Sequence, residues 1–439
     1  KLDGETLHLT TARVEMGKAR LQAKGKARIV SPIDIDLQGE LARFDLNQWI
    51  PRSVALEPRW RQGIINGNWA VSGAIEPAPD LQMNLTLRDS QLAGQALSAN
   101  VKAGLVMRAA GGLQQLRGID ARLDFGRNQI SANGTLRAHA APDTAKAGKS
   151  TASALNFNVL AADPAAIDAR LDGSAELKGQ LRGALDALHL SAELNGRRLR
   201  FAPTDGEPIT LRSLDLSAQL PLAQPLPADA ALDLSVRLGR LQVAGQRIDK
   251  TTLTLKGSPD KHQLRFDTLL SGQSLALIAD GRAELADAPA WQGAITSLRS
   301  DGKMSIRSRA PAPLSASAER IELDDLKLAV SGGGARGALA IERLFLALGE
   351  QPSFAARGKI DALPVAQLAS AFQTKALPEE LNGLRLDGSF DLSGTSAEDL
   401  SGRVLAGITE IANAKKPIGL ASNGSANQAD IRFDNGQLD

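Results

Sequence analysis

Apolar and polar residues alternate with a period of two along much of the chain. The segment Leu232-Asp233-Leu234-Ser235-Val236-Arg237-Leu238 shows it most cleanly. Successive side chains of a β-strand point to opposite faces, so this segment places its aliphatic residues on one face and its polar residues on the other. A helix would spread the same residues over several faces. Ile119 to Phe125, Leu214 to Leu220, Leu253 to Leu255 and Leu264 to Leu270 repeat the pattern. The expected fold is all-β: an elongated, curved, antiparallel or mixed sheet, built from repeats and carrying a few short helices.

Turn chemistry offers one register. Asn195-Gly196 suits a two-residue type I′ hairpin loop, in which both central residues need positive φ. That loop would set Ala192 opposite Leu199, Leu190 opposite Phe201, and Glu193 opposite Arg198. Repetition is visible on a longer scale. Residues 65–73, 171–179 and 386–394 share a strand-like pattern, with a weaker copy at 280–285. Their Asn or Asp positions, Asn66, Asp172, Asp280 and Asp387, recur at nearly equal intervals.

Short helices are expected before the three stronger copies, at Asp45 to Trp49, Asp163 to Ile167 and Pro364 to Phe372. Pro164 and Pro364 suit a first helical turn, where the missing N–H costs nothing. Val365, Leu368, Ala369 and Phe372 would then share one helical face. Ala138 to Ser150, Pro221 to Ala230 and Asn413 to Asn427 read as loops.

A sheet with one apolar face has to cover that face. Few helices are available for this, and aromatic residues are only 3% of the chain, with no Tyr. The expected solution is a sheet curled along its length into a trough, residues 1–439 forming one continuous segment without a separate globular domain. With a strand about every 12 residues and about 4.8 Å between strands, it would extend on the order of 150 Å. The chain begins with Lys1 and not Met, and reads as a piece of something longer.

Charge and composition remove several functions. Net charge is +2 with both signs interspersed, whereas nucleic-acid binding asks for a basic stripe with stacking aromatics. No apolar run approaches the roughly 18 to 20 residues of a membrane span. Without Cys there are neither disulfides nor thiolate metal sites. His8, His139, His189 and His262 are scattered without metal-ligand spacing and read as solvated surface residues. Ser331-Gly332-Gly333-Gly334-Ala335-Arg336-Gly337 resembles the oxyanion-hole segment of patatin-like phospholipases, but no G-x-S-x-G elbow accompanies it, and a turn between two strands is the simpler reading. No enzyme, cofactor or metal is expected. One strand has a cationic face: Lys18, Arg20, Lys24, Lys26 and Arg28 share one parity. It reads either as an edge-protecting face or as a contact for anionic head groups.

The repeated units, above all Gly358 through Gly394, and the block Trp291-Gln292-Gly293 to Leu326 resemble the TamB-like members of the AsmA-like family of Gram-negative envelope proteins. The resemblance is diffuse over nearly the whole chain. It implies a periplasmic β-trough, in a protein anchored in the inner membrane by a segment outside this one. It further implies phospholipid transport between the two membranes along a hydrophobic groove, or alternatively scaffolding of outer-membrane β-barrel assembly with a TamA-like barrel partner. Under the first reading phospholipid acyl chains are the cargo. The expected groove-lining residues are Leu232, Leu234, Val236, Leu238, Leu253 and Leu255.

Overall fold

In the computed structural model, described residues are 1–49, 54, 57–109, 111–138, 153–204, 206–222, 226–243, 245–270, 272–284, 289–302, 304–332, 335–349, 352–364, 384–395, 399–410, 428–434 and 437–438. They form 27 strands, assigned to a single sheet, and almost no helix. Among the described residues every registered pairing between strands is antiparallel; one isolated bridge, Arg137 to Ala184, is parallel. The chain divides into two compact units: residues 1–224 with 241–246, and residues 225–240 with 247–439.

In the first unit long strands follow one another as nearest neighbours. Thr6–Met16 pairs with Ala19–Arg28, that strand with Asp34–Asp45, and so on to His189–Phe201 with Ile209–Pro221. In the second unit the same order runs from Gln246–Gly257 onward. It is interrupted once, where Ala290–Asp301 pairs with both Ser305–Ser308 and Ala312–Ser317. The buried cluster of this unit is Ile295, Ala312, Leu323, Leu326 and Leu328.

Alternation is interrupted at set points by bulges. Arg43, Asp89 and Ala362 have φ near +50° and sit at register irregularities, and Asp325 (φ 53°) lies opposite Glu342, where the following pairing shifts register. One extra residue reverses strand parity, and the sequence resets with it: Leu323 and Leu326, on either side of Asp325, are both buried. Two Asx residues of the repeated units hold these bulges. Asn66 Oδ1 accepts from the Arg43 N–H at 2.7 Å, and Asp387 Oδ1 accepts from the Ala362 N–H at 2.7 Å. Asp280, of the weakest copy, instead accepts from the Gln263 side chain.

Asn195-Gly196 is not a hairpin loop. Both residues lie inside the continuous strand His189–Phe201, flanked by Leu171–Arg182 and Ile209–Pro221. The apolar series Leu190, Ala192, Leu194 continues through Gly196, and a Cβ there would meet Leu199 Cδ1 at 2.7 Å. Glycine serves close packing here, and Arg198 (φ 50°) supplies the bulge that returns Leu199 to the same face.

Of the expected helices, Leu46–Trp49 is one α-turn, and Pro164–Ala166 is a 3-10 turn with Pro at its start. Pro58–Arg61 is a further 3-10 turn. Pro364 does not start a helix; it closes strand Ser353–Pro364 and pairs with Arg385. The expected helical face from Val365 to Phe372 lies outside the described residues, as do His139, the loop at 413–427 and most of that at 138–150.

Candidate functional site

Strand register sorts the first unit into rows of like character. Val14, Leu21, Leu41, Gly67, Leu87, Ala99, Leu123, Ile130, Val159, Leu177, Leu194 and Leu216 are successive cross-strand partners through twelve strands. Every member is aliphatic or glycine. The adjacent row, one residue along each strand, is polar throughout: Arg13, Gln22, Glu40, Asn68, Thr86, Asn100, Arg122, Ser131, Asn158, Lys178, Glu193 and Ser217. The next row returns to the apolar face, from Ala12 and Ala23 through Trp69, Leu85 and Phe157 to Ala192 and Ala218. The two faces of this unit therefore differ in kind.

A face packed beneath a second layer would be mostly buried. In the first row only Ala99 is buried, Ile130 is 47% exposed and Val14 51%, and the others are half-buried. Where a glycine leaves a gap, an aromatic ring of the neighbouring strand lies across it. Trp69 covers Gly39, Phe157 covers Gly179, and in the second unit Phe390 covers Gly358.

The second unit repeats the division. Leu326, Ile341, Gly358, Phe390, Val404 and Ile431 are partners in register, as are Leu328, Leu339, Ile360, Gly388, Ala406 and Ala429. The opposite face carries the row Asp324, Arg343, Arg357, Asp391, Arg403 and Arg432. Arg357 pairs with Asp391 at 2.7 Å and Arg403 with Asp430 at 2.7 Å. Hydrogen bonding from Arg403 holds the Asp430 carboxyl below its ordinary pKa.

All six residues expected to line a groove fall in the second unit. Leu253 leads a row through Phe266 and Leu277 to Leu298, and Leu255 one through Leu264 and Ala279 to Ile295 and Ala312. Both rows run into the buried cluster. Leu232, Leu234, Val236 and Leu238 share one parity of strand Leu232–Val243. Leu232 is buried and the other three are half-buried.

Sequence reasoning missed the bulges and the role of His262. This residue is 4% exposed and not solvated. The Trp291 indole N–H, a donor only, gives its hydrogen to His262 Nε2 at 2.7 Å. The ring hydrogen therefore sits on Nδ1, which donates to the Ser258 carbonyl at 2.9 Å. Burial follows from the Trp–His pair, which joins two strands that are not neighbours in sequence and leaves no local signal. His8 and His189 are exposed, as expected.

The glycine-rich segment joins two strands: Arg320–Gly332 pairs with Ala335–Ala347, Gly332 opposite Ala335. Lys24 and Lys26 of the cationic strand are exposed, while Arg20 faces Glu40 at 3.6 Å and Arg28 faces Asp34 at 3.2 Å. Among the described residues no group of three or more His, Asp or Glu is placed to hold a metal ion, and no helix is long and apolar enough to cross a membrane.

No curated protein and no solved structure matches the chain. A family model described as the TamB N-terminal domain matches residues 1–324, well over half of the length and all of the first unit's apolar and polar rows. The chain belongs to the TamB family.

Proposed function

We propose that this chain is a periplasmic segment of a bridge-like protein whose apolar sheet face carries phospholipid acyl chains between the inner and outer membranes. The observation that carries the reading is the apolar row through twelve strands, set one residue away from a wholly polar row. Moving an acyl chain through water costs about 0.8 kcal/mol per CH₂, on the order of 12 kcal/mol for sixteen carbons. A face that stays aliphatic from strand to strand offsets most of that cost along the path. Aliphatic walls make contact without reading chain length, and the transfer needs no catalytic residue, cofactor or metal. The reading includes a trough continuous over residues 1–439, lined in the second unit by Leu232, Leu234, Val236, Leu238, Leu253 and Leu255. It also places the membrane anchor outside this segment.

The test is photo-crosslinking in cells from probes at adjacent strand positions. Phospholipid should be captured from positions 123 and 234 and not from 122 and 235. Leu234→Asp should interrupt lipid transfer, because an unpaired carboxylate on the acyl path is costly, while Ser235→Asp should not. Equal capture from both parities would remove the assignment. A scaffold for outer-membrane barrel assembly with a TamA-like partner would work through strand edges by β-augmentation. It would tolerate Leu234→Asp and fail on edge-strand changes.

A further inference from the structure

Two helical insertions of the first unit meet over a buried corner of the apolar face. The turn Pro58–Arg61 precedes strand Gly63–Ala74, and the turn Pro164–Ala166 precedes strand Leu171–Arg182. Trp60 brings its ring to 5.7 Å from Phe125, which shares the apolar parity of Leu123. The Arg59 guanidinium lies 4.9 Å above the Trp60 ring and donates to the Ile167 carbonyl of the second insertion. Asn128 ties that insertion down at two points. Its Nδ2 donates to the Asp163 carbonyl at 2.8 Å and its Oδ1 accepts from the Asp163 N–H at 2.9 Å.

Burial follows these contacts. Leu97, Phe125 and Asn128 are 8%, 7% and 6% exposed, whereas Ile130, the next residue of that face beyond Asn128, is 47% exposed. Asn128 is polar on an otherwise apolar face, and both the donor and the acceptor end of its side-chain amide bond the insertion. None of these contacts belongs to the ladder of backbone bonds that holds the strands together.

We infer that the two insertions are a clasp that walls one rim of the lipid-facing surface, with Arg59, Trp60 and Asn128 as its positioning residues. The inference rests on the lipid-facing reading above. An acyl chain on the face then leaves along the face or by another route, not over this rim.

The experiment loads the full chain with a phosphatidylcholine bearing one pyrene-labelled acyl chain and follows its loss to unlabelled phosphatidylcholine vesicles. Arg59→Gln combined with Asn128→Ala should raise the exchange rate tenfold or more, with loading at equilibrium changed less than twofold. Trp60→Ser, which leaves both polar ties in place, should raise it by a smaller factor. Arg28→Gln removes the contacts of Arg28 with Pro32 and Asp34 at the opposite rim and should leave the rate unchanged. Amide exchange at Asp163 reports whether the clasp has opened. An opened clasp with an unchanged rate overturns the clasp, as does equal acceleration by Arg28→Gln. A wild-type chain that takes up no pyrene lipid defeats the lipid-facing reading itself, and the clasp with it.

Discussion

The ring of Phe157 lies across Gly179, its partner in register on the next strand. A Cβ at residue 179 would fall 2.3 Å from Phe157 Cζ and 2.9 Å from each Cε, well inside the roughly 3.5–4.0 Å of carbon contact. The backbone at Gly179 is not in the left-handed region, so Gly179→Ala meets no conformational obstacle except the ring. Forcing an extra carbon into such a contact costs about 1–3 kcal/mol. Replacing glycine by alanine inside a strand returns roughly 0.5–1 kcal/mol. Gly179→Ala should therefore destabilise its neighbourhood by about 0–2.5 kcal/mol, centred near 1. In a Phe157→Leu background the collision is gone, and the same change should be neutral or stabilising. The coupling between the two sites is then about 1–3 kcal/mol. Because the chain has two compact units, a single global melt is a poor reporter. Amide exchange along Leu171–Arg182 reads the local opening free energy directly. An identical effect of Gly179→Ala with and without the Phe157 ring would refute this account of how the apolar face is levelled.

Asn66→Ala removes the acceptor for the Arg43 N–H and the donor to the Asp89 carbonyl, both at 2.7 Å. It should cost about 1–3 kcal/mol locally, visible as faster amide exchange at Arg43 with little change in strands distant from it. Hydrogen bonds from Arg170 pull the Asp168 carboxyl down from its ordinary 3.8 to about 2. A folded pKa below the unfolded one contributes stability that is complete above pH 3.8 and is lost as pH falls through about 2. In Arg170→Gln the carboxyl titration followed by NMR should move up toward 3.8; a midpoint that stays near 2 would exclude Arg170 as the cause.

Much of this architecture was legible in the residues. The alternation of Leu232 to Leu238, and of similar segments, is enough to predict strands with unlike faces, because side-chain direction along a strand is a local property. Only the structure shows that, of the recurring Asx positions Asn66, Asp172, Asp280 and Asp387, Asn66 and Asp387 each hold a bulge of a neighbouring strand, while Asp280 accepts from the Gln263 side chain. Register was not legible from turn chemistry alone. Asn195-Gly196 carries a two-residue hairpin signal, yet strands on both sides extend past it, and ladder bonds along the whole of His189–Phe201 outweigh a local turn preference.

By itself, then, the sequence determined that the chain forms strands, that each has an apolar and a polar face, and that it resembles the TamB family. Which residues become neighbours on those faces was a tertiary decision. Leu177 lies beside Leu194 and Val159 because antiparallel register places them there, although the three belong to three different strands. The bulges that keep Leu323 and Leu326 on one face, the aromatic rings laid across glycines, the buried Trp291–His262 pair and the clasp between Arg59 and Ile167 share that origin. Each depends on atoms brought together from distant positions, and periodicity within one strand carries no information about which strand comes to lie beside it.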